Sequence, residues 1–126
     1  MRVFCDEQGV SPDAEVDPHD ERAVHIVGVE DGRVIATCRL IMFADGECRL
    51  GRMVVAADRR GNGVGRRLIE AAHAEAASLG AQEIVLHAQT QAEPFYARAG
   101  YLPRGRRFIE EGIEHVQMRR PIAPAR

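Results

Sequence analysis

The chain has 126 residues, 17 Lys plus Arg against 19 Asp plus Glu, a net charge of -2, and 45% hydrophobic residues, which is enough for one domain over residues 1–126 and too little for two. No apolar run approaches the roughly 20 residues that cross a bilayer, and near-neutral charge leaves no footprint for nucleic acid. Asp6 and Glu7 come too early for a secretory leader, so a cytoplasmic protein with neither a membrane nor a nucleic-acid partner is expected.

In chain order, Val3 to Gln8 reads as the end of a helix, followed to Arg22 by an acidic stretch broken at Pro12 and Pro18. Val24 to Val29 is β-branched and apolar. Asp31-Gly32 reads as a hairpin turn into a strand from Arg33 to Phe43, and Asp45-Gly46 as a second turn into Glu47 to Ala56. The period then changes. Val64, Leu68, Ile69, Ala72, Ala76 and Leu79 recur at helical spacing, and Gly80 suits the stop. Glu83 to Ala88 is a continuous apolar run of the kind buried on both faces, so strand, helix and strand imply a right-handed crossover with parallel pairing. Ala92 to Ala99 gives a short helix stopped by Gly100. Two weaker strands, Arg104 to Glu110 and Glu114 to Arg119, meet at Glu111-Gly112, and Pro121 and Pro124 end the fold. The expected class is mixed α/β: an antiparallel meander, a crossover helix with a parallel strand, and a C-terminal hairpin.

Cys5, Cys38 and Cys48 form an odd set without a C-x-x-C pair and read as reduced thiols. The five histidines make no ligand ladder, so no metal site is expected.

The chemistry lies between Val54 and Leu68. A strand runs into a loop with Gly61, Gly63 and Gly65 at alternate positions, then straight into a helix. Glycine lets the backbone turn with positive φ and lets an anion approach its N–H groups; the first turn of the helix adds free N–H groups and partial positive charge. Helix starts favour acids, yet Arg66 and Arg67 stand here, with Arg59 and Arg60 just before. An anion among them resolves the conflict. The loop lacks the Gly-Lys-Ser/Thr of a P-loop and the G-x-G-x-x-G of a dinucleotide fingerprint. It reads as a pyrophosphate cradle of another kind.

Arg60-Gly61-Asn62-Gly63-Val64-Gly65 resembles R/Q-x-x-G-x-G/A, the acetyl-CoA loop of the GNAT superfamily of N-acetyltransferases. Gly51-Arg52-Met53-Val54-Val55 is similar to the strand that pairs with the pantetheine arm there, and Ala92-x-x-Phe95-Tyr96-x-x-x-Gly100-Tyr101 to the motif of the following helix. Val3-Phe4-x-x-Glu7-Gln8 and Glu111-Gly112-Ile113-x-His115-x-x-Met118 resemble the ElaA-like branch. Relatives begin with a strand and a full helix ahead of the first of these segments, so the expectation is that either the true start lies upstream or the usual first strand is missing.

The resemblance implies an acetyl-CoA-dependent N-acetyltransferase in which a primary amine, on a small molecule or a protein, attacks the thioester directly. The alternative is a non-catalytic acyl-CoA-binding or regulatory domain. It implies fourth and fifth strands that splay, with acetyl-CoA held by Met53, Val54, Val55, the loop Arg60, Gly61, Asn62, Gly63, Val64, Gly65 and Arg66, and Gln89 where relatives often carry Asn. Tyr96 is the implied acid for the departing thiolate. His115 is the preferred base among Glu47, His87, Glu111 and itself, and Glu7, Gln8 and Glu111 are implied to line the acceptor pocket. Without a first strand, the Val24 to Val29 edge carries no charge to deter pairing, so a two-fold homodimer is expected unless Asp13 to Glu21 covers it.

Overall fold

The computed structural model describes residues 2–5, 23–43 and 45–122. Seven strands form one sheet: β1 (Arg2–Cys5), β2 (Ala23–Glu30), β3 (Arg33–Met42), β4 (Glu47–Val55), β5 (Glu83–Gln89), β6 (Leu102–Glu110) and β7 (Ile113–Pro121), in the spatial order β1-β2-β3-β4-β5-β7-β6. Helices α1 (Val64–Ser78) and α2 (Glu93–Arg98) complete it. Meander, crossover and C-terminal hairpin stand where the sequence puts them. Two of the hairpin turns form as their residues dictate: Asp31-Gly32 and Glu111-Gly112 both take positive φ at both positions, the backbone twist that matches antiparallel strands.

The start of the chain departs from expectation. Arg2–Cys5 is a strand, not the end of a helix, and it pairs in parallel with Ile26 to Val29 of β2. The edge expected to be bare is therefore covered along that stretch. Glu7, Gln8 and the acidic segment Asp13 to Glu21 lie outside the described residues.

One face of the sheet packs on α1. Alternation sends Ile26, Cys38, Leu40, Cys48, Leu50, Ile84, Leu86, Ala88, Val116 and Met118 to this side, where Val64, Leu68, Ile69, Ala72 and Ala76 of α1 meet them. Gly80, in the left-handed region at φ 86°, ends α1, and Ala81 N–H closes back on the Ala76 carbonyl. No helix among the described residues is long and apolar enough to cross a membrane.

Two irregularities shape the site. Between the pairs Thr37–Val54 and Arg39–Gly51, β4 carries one residue more than β3, and Arg52 takes up the excess at φ 53°. Parallel pairing of β4 with β5 also stops early, at Leu50–Leu86. Above that pair, β4 stays with β3 up to Val55, while β5 stays with β7 through Gln89. The two central strands thus fork.

Candidate active site

The fork opens toward the loop that joins β4 to α1. Its walls are Val55, Arg60, Gly61, Gly63, Gly65 and Arg66 on one side and Phe95, Arg98 and Ala99 of α2 on the other, with His73 and Arg120 at the back, enclosing about 830 Å³. A smaller hollow of about 450 Å³ adjoins it, bounded by Met53, Val54, Val55, Ala92, Phe95 and Tyr96.

Local sequence explains the cradle. Gly61 and Gly63 hold φ of 83° and 79°, and a Cβ at either would meet nothing within 4 Å, so their glycine is required by backbone and not by crowding. Gly63 caps α1 with no side-chain hydrogen bond, and the first turn carries no acid. Its N–H groups are left for a ligand. At Gly65 a Cβ would stand 3.5 Å from the Phe95 ring and 3.7 Å from Met53 Cε, which lets α1 and α2 approach across the cleft.

Four guanidinium groups, Arg60, Arg66, Arg98 and Arg120, line the larger cavity against one acid, Glu70, which Arg66 already engages at 3.2 Å. This suits a polyanion. Arg60 Nε also donates to the Val55 carbonyl at 3.2 Å, whereas Arg59 is turned away to Glu30. Arg120 donates to His73 Nδ1 at 3.3 Å, so the imidazole proton is on Nε2, which donates to the Tyr101 hydroxyl oxygen at 2.8 Å. Burial, with the Arg120 charge beside it, pushes His73 down to about 4, so it stays neutral here.

Tyr96 stands where the fork narrows. Its hydroxyl donates to Met53 Sδ at 3.4 Å, and its ring packs edge-on against Phe95 and Tyr101. Burial raises its pKa, and the phenol remains a proton donor at neutral pH. Cys38 and Cys48 are buried and pushed up to about 12, so neither of these two presents a thiolate as a nucleophile at neutral pH.

Of the residues expected to hold a cofactor, Met53, Val54, Val55, Arg60, Gly61, Gly63, Gly65 and Arg66 line the cleft. Val64 turns its side chain into the core at 1% exposure, leaving only its backbone toward the loop, and Asn62 is exposed and outside both linings. Gln89 ends β5, and its side-chain carbonyl accepts from Gln91 at 3.1 Å. His115 is not brought to the cleft. It is 8% exposed on β7, its Nδ1 donates to the Ile113 carbonyl at 2.7 Å, and its ring stacks on Phe108. Glu47 is engaged by Arg49 at 2.8 Å and by Arg119 at 3.4 Å, and Glu111 is exposed in the β6–β7 turn.

The sequence gives little sign of His73, Arg98 and Arg120. Arg98 sits in the last turn of α2, where a cation has an ordinary reason to stand. Arg120 reaches the cavity only because β7 inserts between β5 and β6.

With this geometry in place, residues 4–121 match the family model described as an acetyltransferase (GNAT) domain. The N-acetyltransferase YjcF of Bacillus subtilis (strain 168), itself uncharacterised, is 37% identical over 117 residues, covering 92% of this chain and 83% of that protein. The crystal structure of an acyl-CoA N-acyltransferase from Pseudomonas aeruginosa superposes with a TM-score of 0.71 at 31% identity, over 78% of this chain and 68% of the other. Escherichia coli ElaA gives 0.71 at 26% identity with the same coverage, 78% and 68%.

Proposed function

Because the chain belongs to the GNAT acetyltransferase family, we propose that it moves an acetyl group from acetyl-CoA to a primary amine by direct attack. The fork carries this reading. From Gly51 to Val55, β4 has no strand partner on the β5 side, so backbone groups that face the gap there, apart from the Val55 carbonyl held by Arg60, are available to the amides of a pantetheine arm lying as a short extra strand. The arginine-lined cavity and uncapped start of α1 lie next along the cleft, where a pyrophosphate would follow.

Acetyl-CoA supplies the activated acyl group as a thioester. A backbone N–H at Met53 or Val54, presented by the bulge, is the proposed donor to the developing oxyanion. Tyr96, protonated and 3.4 Å from Met53 Sδ, is the proposed donor to the departing sulfur. Phe95, Tyr96 and Met53 give this end of the cleft an apolar lining.

Turnover of acetyl-CoA against n-butylamine, benzylamine, 1,4-diaminobutane and a lysine-containing peptide, with mass detection of the acetylated product, tests the proposal. A chain that binds acetyl-CoA and acetylates none of them would be a binding domain instead.

The homodimer also stands as a proposal. β1 covers part of one sheet edge, and β6 at the other edge carries Pro103, Arg104, Arg106, Arg107 and a bulge, devices that deter pairing. Light scattering at micromolar concentration decides it: a species of twice 13.9 kDa supports the dimer, and one of 13.9 kDa removes it.

A further inference from the structure

We infer that His87 is the base that takes the proton from the incoming amine and that Glu110 positions its ring; the inference rests on the acetyltransferase reading above. The last paired residues of the fork are Leu50 and Leu86, whose side chains enter the core beside α1. The next residues, Gly51 and His87, therefore face the other side of the sheet, immediately above the point where the strands part. Gly51 offers no side chain, and among the described residues nothing stands within 4 Å of a Cβ placed there. His87 is the next residue of β5 beyond the last pair.

The imidazole is prepared for the task. His87 Nδ1 is 3.1 Å from Glu110 Oε2, and an ionised carboxylate only accepts, so Nδ1 carries the hydrogen and Nε2 presents its lone pair. Among the described residues Nε2 makes no hydrogen bond, and the side chain is 44% exposed. Phe108 stands edge-on to the ring at 5.0 Å and fixes its tilt. The same Glu110 carboxylate lies 3.9 Å from His115 Nε2, so one acid of β6 is flanked by imidazoles of β5 and β7. The other group of β7 beside His87 is the uncharged Gln117. Glu110 thus supplies the negative charge that draws an ammonium ion to this face.

Tyr96 belongs to the opposite side, packed with Tyr101 against the α1 core. Base and acid are separated by the sheet, as attack from one face and departure toward the other require. His87 Nε2 takes one proton from the ammonium group. The nitrogen pair forms the new N–C bond while the C–S bond breaks with its electron pair on sulfur. Tyr96 gives its proton to that sulfur and regains one from water; the second surplus proton on nitrogen and the one held by His87 pass to water, a net release of one.

His87→Ala, His87→Gln and Glu110→Gln test this with n-butylamine and benzylamine, both protonated at pH 7. Both His87 variants are expected to lose about 10²-fold in kcat/KM with acetyl-CoA affinity unchanged, and 4-methylimidazole in the buffer to restore part of the His87→Ala loss. Glu110→Gln is expected to raise the amine KM more than it lowers kcat, with acetyl-CoA affinity unchanged, a split that loss of a merely structural contact would not produce. His87 variants within about threefold of the parent, with no response to imidazole, would overturn the dyad while leaving the transferase reading intact. A parent that acetylates none of n-butylamine, benzylamine, 1,4-diaminobutane and the lysine-containing peptide would overturn both.

Discussion

Tyr96 and Met53 meet across the cleft, the phenol hydroxyl 3.4 Å from the thioether sulfur, although 43 positions separate them in the chain. The contact fixes α2 over the bulge of β4. It also places the candidate acid beside the proposed oxyanion donors.

Tyr96→Phe removes the hydroxyl and keeps the ring contacts with Phe95 and Tyr101. The expected result is a fall in kcat of about 10²-fold, with unchanged acetyl-CoA affinity and melting temperature. Steady-state rates at saturating substrates check it. An unchanged kcat would remove Tyr96 from the chemical step.

Gly63→Asp, read beside Gly63→Asn, separates binding from stability. The new side chain has open space, since a Cβ at Gly63 meets nothing within 4 Å, and its charge faces the start of α1 favourably. It also occupies the place kept for a phosphate. Affinity for acetyl-CoA by calorimetry should fall by at least about tenfold, and the positive φ should lower the melting temperature too, by an amount that Gly63→Asn, strained alike but uncharged, measures separately. Equal affinity in parent and variant would dismiss the cradle.

Gly100→Ala should act through Arg120. Gly100 sits at φ 95°, and a Cβ there would stand 2.8 Å from Arg120 Nε. Backbone strain is expected to cost about 1 kcal/mol or more. Displacing the guanidinium also loosens its bond to His73 and withdraws a cation from the cavity. Urea unfolding and acetyl-CoA calorimetry should both register the change; a variant matching the parent in both would show that Arg120 moves aside freely.

Cys38 and Cys48 give the pH dependence its sign. Their thiols are pushed up to about 12 in the fold, from an ordinary value of 9.0, chiefly by burial. Above pH 9 the unfolded chain loses these protons and the folded chain keeps them, so stability falls as pH rises between about 9 and 12. Tyr96 and Tyr101, both raised, push the same way. The urea midpoint at pH 10 should lie below that at pH 8, by an amount equivalent to about 3 kcal/mol. His73 works at the acid end: held down to about 4, it stabilises fully above its ordinary 6.5 and less as pH drops toward 4.

The parts written in local chemistry were legible before the structure. Asp31-Gly32 and Glu111-Gly112 turn where glycine and its neighbour allow positive φ, and the apolar period from Val64 ends at Gly80 as α1 does. The cradle was legible for the same reason, because alternate glycines and misplaced arginines are local facts. The bulge was not, since Arg52 at φ 53° carries a residue type that gives no hint of that backbone. Nor was the parallel seating of Arg2–Cys5, which depends on which strand edge is free. What distinguishes His87 from His115 is tertiary and so was not legible: a register that stops at Leu50–Leu86, and a carbonyl at Ile113 that holds one of the two rings.

The fork also divides the molecule mechanically. β1 to β4 make one plate and β5, β7 and β6 another, and the strands themselves are sewn together only along Glu47 to Leu50, with α1 as a brace against the first plate. This seam between the plates is only four residue pairs long, and it runs up to the proposed reaction centre. A ligand that lies in the gap as a strand would stitch it further. The empty and loaded proteins should then differ less in shape than in how independently their two halves open, with amide exchange along Gly51 to Val55 and His87 to Gln89 reporting the closing of the seam.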